Sequence, residues 1–178
     1  MPRRSLSHSP GFTLIELLIV LAIVGILLSV AMAIYRGARI RAGEVSAIST
    51  LHAINQAQFE FAQLCGNQRF APNLASLVAP MPTTGQAFLS PDLGVDPLVK
   101  SGYQFTMAGT AVTDAGLTCT GGTPVESYQV TADPVQPGIS GNRFFATNSD
   151  RVVYEDPDKT FAPEMPERGA PSHGVEMR

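Results

Sequence analysis

The residues able to do chemistry are few and widely spaced. Glu16 stands at the mouth of residues 17–34, an uncharged run broken only by Gly25 and Ser29. A carboxylate bordering such a run is costly to bury, by a few kcal/mol at a bilayer centre, so its first reading is functional. The alternative is a solvated end residue in the headgroup layer. The three histidines, His8, His52 and His173, lie too far apart in the pattern to predict a shared metal or acid-base centre. The chain contains no P-loop, Cys-x-x-Cys or His-Glu-x-x-His sequence, so no enzyme is expected. Asp150, Glu155, Asp156 and Asp158 are oxygen donors grouped near a loop, a chemistry that suits calcium. Their spacing is not that of an EF-hand, and a solvated acidic turn is the competing reading. No other cofactor is expected.

The elements that position these groups follow from length and patterning. The 178 residues suffice for one compact domain plus an anchor or tail. With 12 Lys+Arg against 15 Asp+Glu and 15% charged residues, the chain has the wrong sign for a broad nucleic-acid surface and too little charge for a disordered one. Its mean hydropathy of +0.11 reflects one segment. As a helix, residues 17–34 rise about 27 Å at 1.5 Å per residue, enough to cross a bilayer. Residues 1–11, with Arg3 and Arg4, form a short basic leader ahead of it. A secretory signal cleaved at Ala31-Met32-Ala33 is an alternative. It is opposed by an apolar run longer than about 15 residues and by Glu16 at its mouth.

The segment Gly11-Phe12-Thr13-Leu14-Ile15-Glu16, followed by the aliphatic residues 17–27, resembles the class III signal of type IV pilins and type II secretion pseudopilins. The resemblance covers about 25 of the 178 residues. It implies cleavage after Gly11 on the cytoplasmic face by a prepilin peptidase, N-methylation of Phe12, and an assembly role for Glu16, paired with the terminal amine of Phe12 on a neighbouring subunit. In a low-dielectric filament core such a pairing offsets the cost of an isolated carboxylate, and it acts on register more than on stability. Many pilins carry proline where this chain has Ala33, so no kink is expected there. Arg36, Arg39 and Arg41 beyond the span balance Arg3 and Arg4 before it, so charge alone sets no orientation. The distal arginines suit pairing with acidic residues of adjacent subunits.

The expected fold is α+β: a long N-terminal helix, membrane-spanning in one half and amphipathic in the other, packed on a small antiparallel sheet. Residues 1–11 form the leader, 12–35 the spanning and assembly half, and 36–66 the amphipathic half. In the latter, Ile40, Ile48, Leu51, Ile54, Phe61 and Cys65 share one face and Gly66-Asn67 gives a stop. Residues 67–101, rich in proline, read as an irregular connection with one short helix at 73–78. Residues 102–156 hold four strands, at 103–107, 128–132, 143–147 and 151–155, joined as a meander. The proline-rich residues 157–178 read as a disordered tail. With the topology the resemblance implies, Cys65 and Cys119 meet an oxidising compartment, where a disulfide between helix end and hairpin loop is expected; two separate thiols are the alternative. Typical pilins bridge a C-terminal loop instead.

The expected function is that of a structural subunit of a type IV pilus or pilus-like filament. Its localisation would be the inner membrane, single pass, N-terminus cytoplasmic and C-terminal domain periplasmic, and then the filament. The partners implied are other pilin-like subunits in a homo- or hetero-polymer, prepilin peptidase, an inner-membrane assembly platform, and the lipid bilayer before assembly; no nucleic acid is expected. The alternatives are a type II secretion pseudopilin and a single-pass membrane-anchored periplasmic binding domain.

Overall fold

A computed structural model describes residues 12–95 and 97–177. The chain divides into two units, residues 1–38 and 39–178, and a 51-residue helix, α1 (Leu14–Leu64), contributes to both. In the first unit its apolar side chains are uncovered; Ile15, Leu21, Ile26 and Val30 are each more than half exposed. That segment is long and apolar enough to cross a membrane. Ser29 returns its hydroxyl to the Ile26 carbonyl at 2.7 Å, so its polar atom is satisfied within the helix.

The second unit is an α+β domain. The remainder of α1 lies against one face of a six-stranded antiparallel meander in the order β1-β2-β3-β4-β5-β6. The strands are β1 (Leu98–Lys100), β2 (Tyr103–Ala111), β3 (Val125–Pro134), β4 (Phe144–Asn148), β5 (Val153–Asp156) and β6 (Val175–Glu176). Ala47, Leu51, Ile54 and Phe61 recur at helical spacing and pack with Tyr103, Phe105, Val130 and Phe145 from the sheet. Strand β2 alternates cleanly: Tyr103, Phe105 and Met107 are buried, Gln104, Thr106 and Ala108 exposed. Ile48 is only partly buried, and Ile40 lies at the edge of the covered face.

The buried helix face also carries polar groups, each with a partner. Asn55 donates to the Thr147 hydroxyl at 2.8 Å and accepts from the Tyr128 hydroxyl at 2.9 Å. Gln58 brackets Ala71, donating to its carbonyl at 3.0 Å and accepting from its N–H at 2.8 Å. Helix α1 ends where Asn67 and Gln68 turn left-handed, at φ 51° and 66°. A side chain at Gly66 would meet the Arg69 carbonyl oxygen at 1.9 Å, so only glycine fits that close approach.

Three expectations need correction. The connection 67–101 is more regular than its prolines suggest. The short helix expected at 73–78 forms as α2 (Leu74–Val78), capped by Asn73 Oδ1 accepting from the Ser76 N–H at 2.9 Å, but the connection also contains β1, so the sheet begins before residue 102. The four strands become six, because β1 and β6 have three and two residues, too few for a readable alternation. Of the expected disordered tail, residues 157–177 are ordered. Phe161 and Met165 are buried with Ala146 and Tyr154 on the sheet face opposite the helix. Glu167 reaches the Thr110 N–H at 3.2 Å and its hydroxyl at 2.9 Å, and also the Ser127 hydroxyl. Asn148 donates to the Pro166 and Gly169 carbonyls at 3.1 and 2.7 Å. These bonds hold a strap across the second face, which explains why Tyr128 to Ala132 in β3 is buried almost throughout.

Candidate functional site

At the start of α1, Thr13 occupies the capping position and Glu16 the third helical residue. The Glu16 N–H donates to the Thr13 hydroxyl oxygen at 3.3 Å, the Thr13 N–H donates to Glu16 Oε2 at 3.3 Å, and the Thr13 hydroxyl donates to the same oxygen at 3.0 Å. This is a reciprocal capping box, Thr-x-x-Glu, which satisfies helix N–H groups otherwise left without partners. The negative charge also complements the positive end of the helix dipole. Both residues are exposed, and Phe12 is 81% exposed, so the carboxylate keeps free lone pairs for a second donor. Gly11 lies outside the described residues. The capping box was legible from Thr13-Leu14-Ile15-Glu16 alone, and the sequence reading passed over it.

Cys65 and Cys119 form a disulfide, with Cα atoms 4.9 Å apart and a sequence separation of 54. The Cys119 N–H also donates to the Cys65 carbonyl at 3.1 Å. The bridge joins the last turn of α1 to the β2–β3 loop.

The four acidic residues considered for calcium do not form a ligand set. Asp150 accepts from the Gly169 N–H at 2.6 Å. Glu155 pairs with Arg143. Asp156 accepts from the N–H groups of Asp158 and Lys159 at 2.8 and 2.9 Å and meets His173 Nδ1 at 2.8 Å. The Asp158 backbone bond first, then His173, and then the Lys159 backbone bond lower the Asp156 pKa. Asp158 contributes its backbone N–H to that turn. Among the described residues no group of three or more His, Cys, Asp or Glu side chains is placed to hold a metal ion. His8 lies outside the described residues, His52 is exposed on α1, and His173 stacks on Phe161 with ring centroids 4.9 Å apart.

One ionic cluster was not anticipated. Glu44, 5% exposed, accepts from Arg143 Nη2 at 2.8 Å, from Arg143 Nε at 3.1 Å and from the Asn142 N–H at 3.0 Å, while Arg143 Nη1 reaches Glu155. Burial works against the guanidinium charge, but the two carboxylates outweigh it and raise the Arg143 pKa. The pair is separated by 99 residues and carries no local sequence signal.

Residues 6–32 match the family model described as the prokaryotic N-terminal methylation motif, the class III prepilin signal of type IV pilins and pseudopilins. The matched stretch contains the Gly11–Phe12 junction, the Thr13–Glu16 capping box and most of the apolar helix. No curated protein and no solved structure matches the chain. The motif and the uncovered apolar helix are consistent with membrane anchoring of a pilin- or pseudopilin-like protein.

Proposed function

We propose that the chain is a structural, non-catalytic subunit of a type IV pilus or pilus-like filament. It is stored in the inner membrane with its N-terminus cytoplasmic and its folded domain periplasmic. Prepilin peptidase cleaves after Gly11 and methylates Phe12, and an inner-membrane platform polymerises the product with other pilin-like subunits. The methylation motif over residues 6–32 carries this reading. Glu16 supports it physically: a carboxylate fixed at a helix N-terminus with lone pairs to spare can accept the terminal amine of Phe12 on a neighbouring subunit. In the filament that pairing sets register, and apolar contact between helices supplies cohesion. A type II secretion pseudopilin is the second reading, because the methylation motif over residues 6–32 is common to both classes of subunit.

Intact-mass and N-terminal peptide mass spectrometry on membrane and sheared-surface fractions tests the proposal. A chain beginning at Phe12 with one added methyl group is expected, and its presence in the sheared fraction favours a surface pilus over a pseudopilus. A chain beginning at Ile34 would make this an exported soluble domain, and an intact Met1 an unprocessed anchor. Glu16→Ala is expected to leave membrane retention intact while lowering filament incorporation at least about tenfold, equivalent to about 1.4 kcal/mol. Normal incorporation at normal subunit levels would overturn the assembly role.

A further inference from the structure

A groove of about 640 Å³ opens beside the first turns of α1 within the second unit, with Arg39, Ala42, Val99, Val135 and Ile139 among its lining residues. At Gly43, in its lining, the helix approaches two loops closely: a side chain there would meet the Ser101 and Ser140 carbonyl oxygens at 2.9 and 3.0 Å. Around its rim three β-branched side chains face outward, with Val99 59%, Val135 50% and Ile139 68% exposed.

The fold does not require this exposure. Ile139 sits on a turn whose backbone is satisfied internally: the Ile139 and Ser140 N–H groups donate to the Gln136 carbonyl, and the Gly138 N–H to the Gly141 carbonyl. Its side chain is therefore free to be polar, yet it is one of three exposed apolar groups that line one groove with a cation. Single exposed apolar residues need no explanation, but a contiguous set beside a charge does. Among the described residues no carboxylate lines the groove and none pairs with Arg39. Glu44, on the next turn, is committed to Arg143, and Lys100 is paired with Asp92 at 3.0 Å.

The occupant follows from charge and chain connectivity. Arg39 follows Ile34 by five residues, at most about 18 Å of chain even when fully extended, so connectivity keeps it within reach of a bilayer headgroup layer about 5–8 Å deep. A guanidinium offers a planar fork matched to phosphate oxygens. We propose that this groove takes the phosphodiester headgroup of an anionic phospholipid, with Arg39 on the phosphate and Val99, Val135 and Ile139 against the glycerol and upper acyl carbons. The remainder of the chain is acidic, so an anionic surface attracts this patch selectively. The inference rests on the membrane-stored state of the proposed function. It adds a second, reversible attachment of the folded domain that assembly has to release.

The chain contains no tryptophan, so Ile139→Trp makes a single fluorescent reporter at an exposed position. The full chain is reconstituted in nanodiscs of phosphatidylcholine alone or with phosphatidylglycerol, and its retention in the discs is scored separately. With phosphatidylglycerol, a blue-shifted emission quenched by lipids brominated high on the acyl chain is expected. At least half of both effects is expected to be lost in pure phosphatidylcholine or with Arg39→Gln, and free glycerol phosphate should produce no shift. Val99→Trp, read in the same way, guards against a local perturbation at 139. Emission equally open to acrylamide in both discs would overturn the proposal, as would a shift independent of Arg39. A shift seen only with two chains per disc would overturn it in favour of a second copy of this chain. Failure of the discs to retain the chain would overturn the anchoring itself, an outcome separate from the other three.

Discussion

The two parts of α1 solve the same helical geometry for different surroundings. Between residues 14 and 38 the large apolar side chains described are exposed, and past the Glu16 capping box Ser29 bonds back to its own helix. Between residues 39 and 64 the covered face alternates apolar packing with Glu44, Asn55 and Gln58, each tied to a specific group on the sheet or connection. A helix facing lipid or other helices can be uniformly aliphatic, because any rotation about its axis presents similar groups. A helix that must dock in one register gains from polar groups that are satisfied in only one position, since a slip leaves them buried without partners.

The comparison is broken most directly by cutting one large side chain in each half. Phe61→Ala is expected to destabilise the domain by about 3–5 kcal/mol, because Phe61 is fully buried. Leu21→Ala, in the uncovered half, should leave the denaturant midpoint of the domain unchanged when the full chain is measured in detergent. Equal losses would end the distinction. Replacing both Cys65 and Cys119 with serine should cost about 2–4 kcal/mol, again only in the domain transition, because a long loop is released in the unfolded state. Glu44→Gln sharpens the register argument. It keeps an acceptor but removes the charge, and should cost about 1–3 kcal/mol by urea melting, below the full buried-pair value because Arg143 is about one-third exposed.

The smallest effect belongs to the strap. The folded Asp156 pKa lies below its ordinary value of 3.8, so its contribution is present above about pH 4 and is lost as pH falls through the folded value. The protection of the Asp158 and Lys159 amides, corrected for their intrinsic exchange at each pH, is expected to fall on acidification ahead of β3 and β4. Asp156→Asn should flatten that pH dependence. Protection of these amides that stays constant with pH in the native chain would show that the turn does not depend on the carboxylate charge.

Legibility in the sequence followed the range of the interactions. Helix α1, its stop at Gly66-Asn67 and the strands with clear alternation, β2 above all, were readable because each repeats a short-range pattern of burial. The expectation of a Cys65–Cys119 pair could be formed because there were only two cysteines to combine. The strap was not legible: its anchors are single residues, Phe161, Met165 and Glu167, spaced without period among prolines, and its partners lie tens of residues away. Composition read those prolines as disorder, whereas side-chain capping of backbone groups holds them. Glu44 and Arg143 were invisible for the same reason. At Glu16 the reverse happened, since a local capping role was written in four adjacent residues beside the more specific motif.

The bridge between Cys65 and Cys119 also matters to mechanics. It closes a covalent ring that contains α2, β1 and β2 and is entered from the end of α1. Tension applied along α1 and drawn out through the C-terminal strands bypasses everything inside that ring. Such a load can peel β3 from β2, but it cannot lengthen the segment between the cysteines, which are 54 positions apart, without rupturing a sulfur–sulfur bond. The chain is therefore built to have a shorter maximum extension under pull than its residue count implies, and reduction of one bond would restore the missing length as a single step.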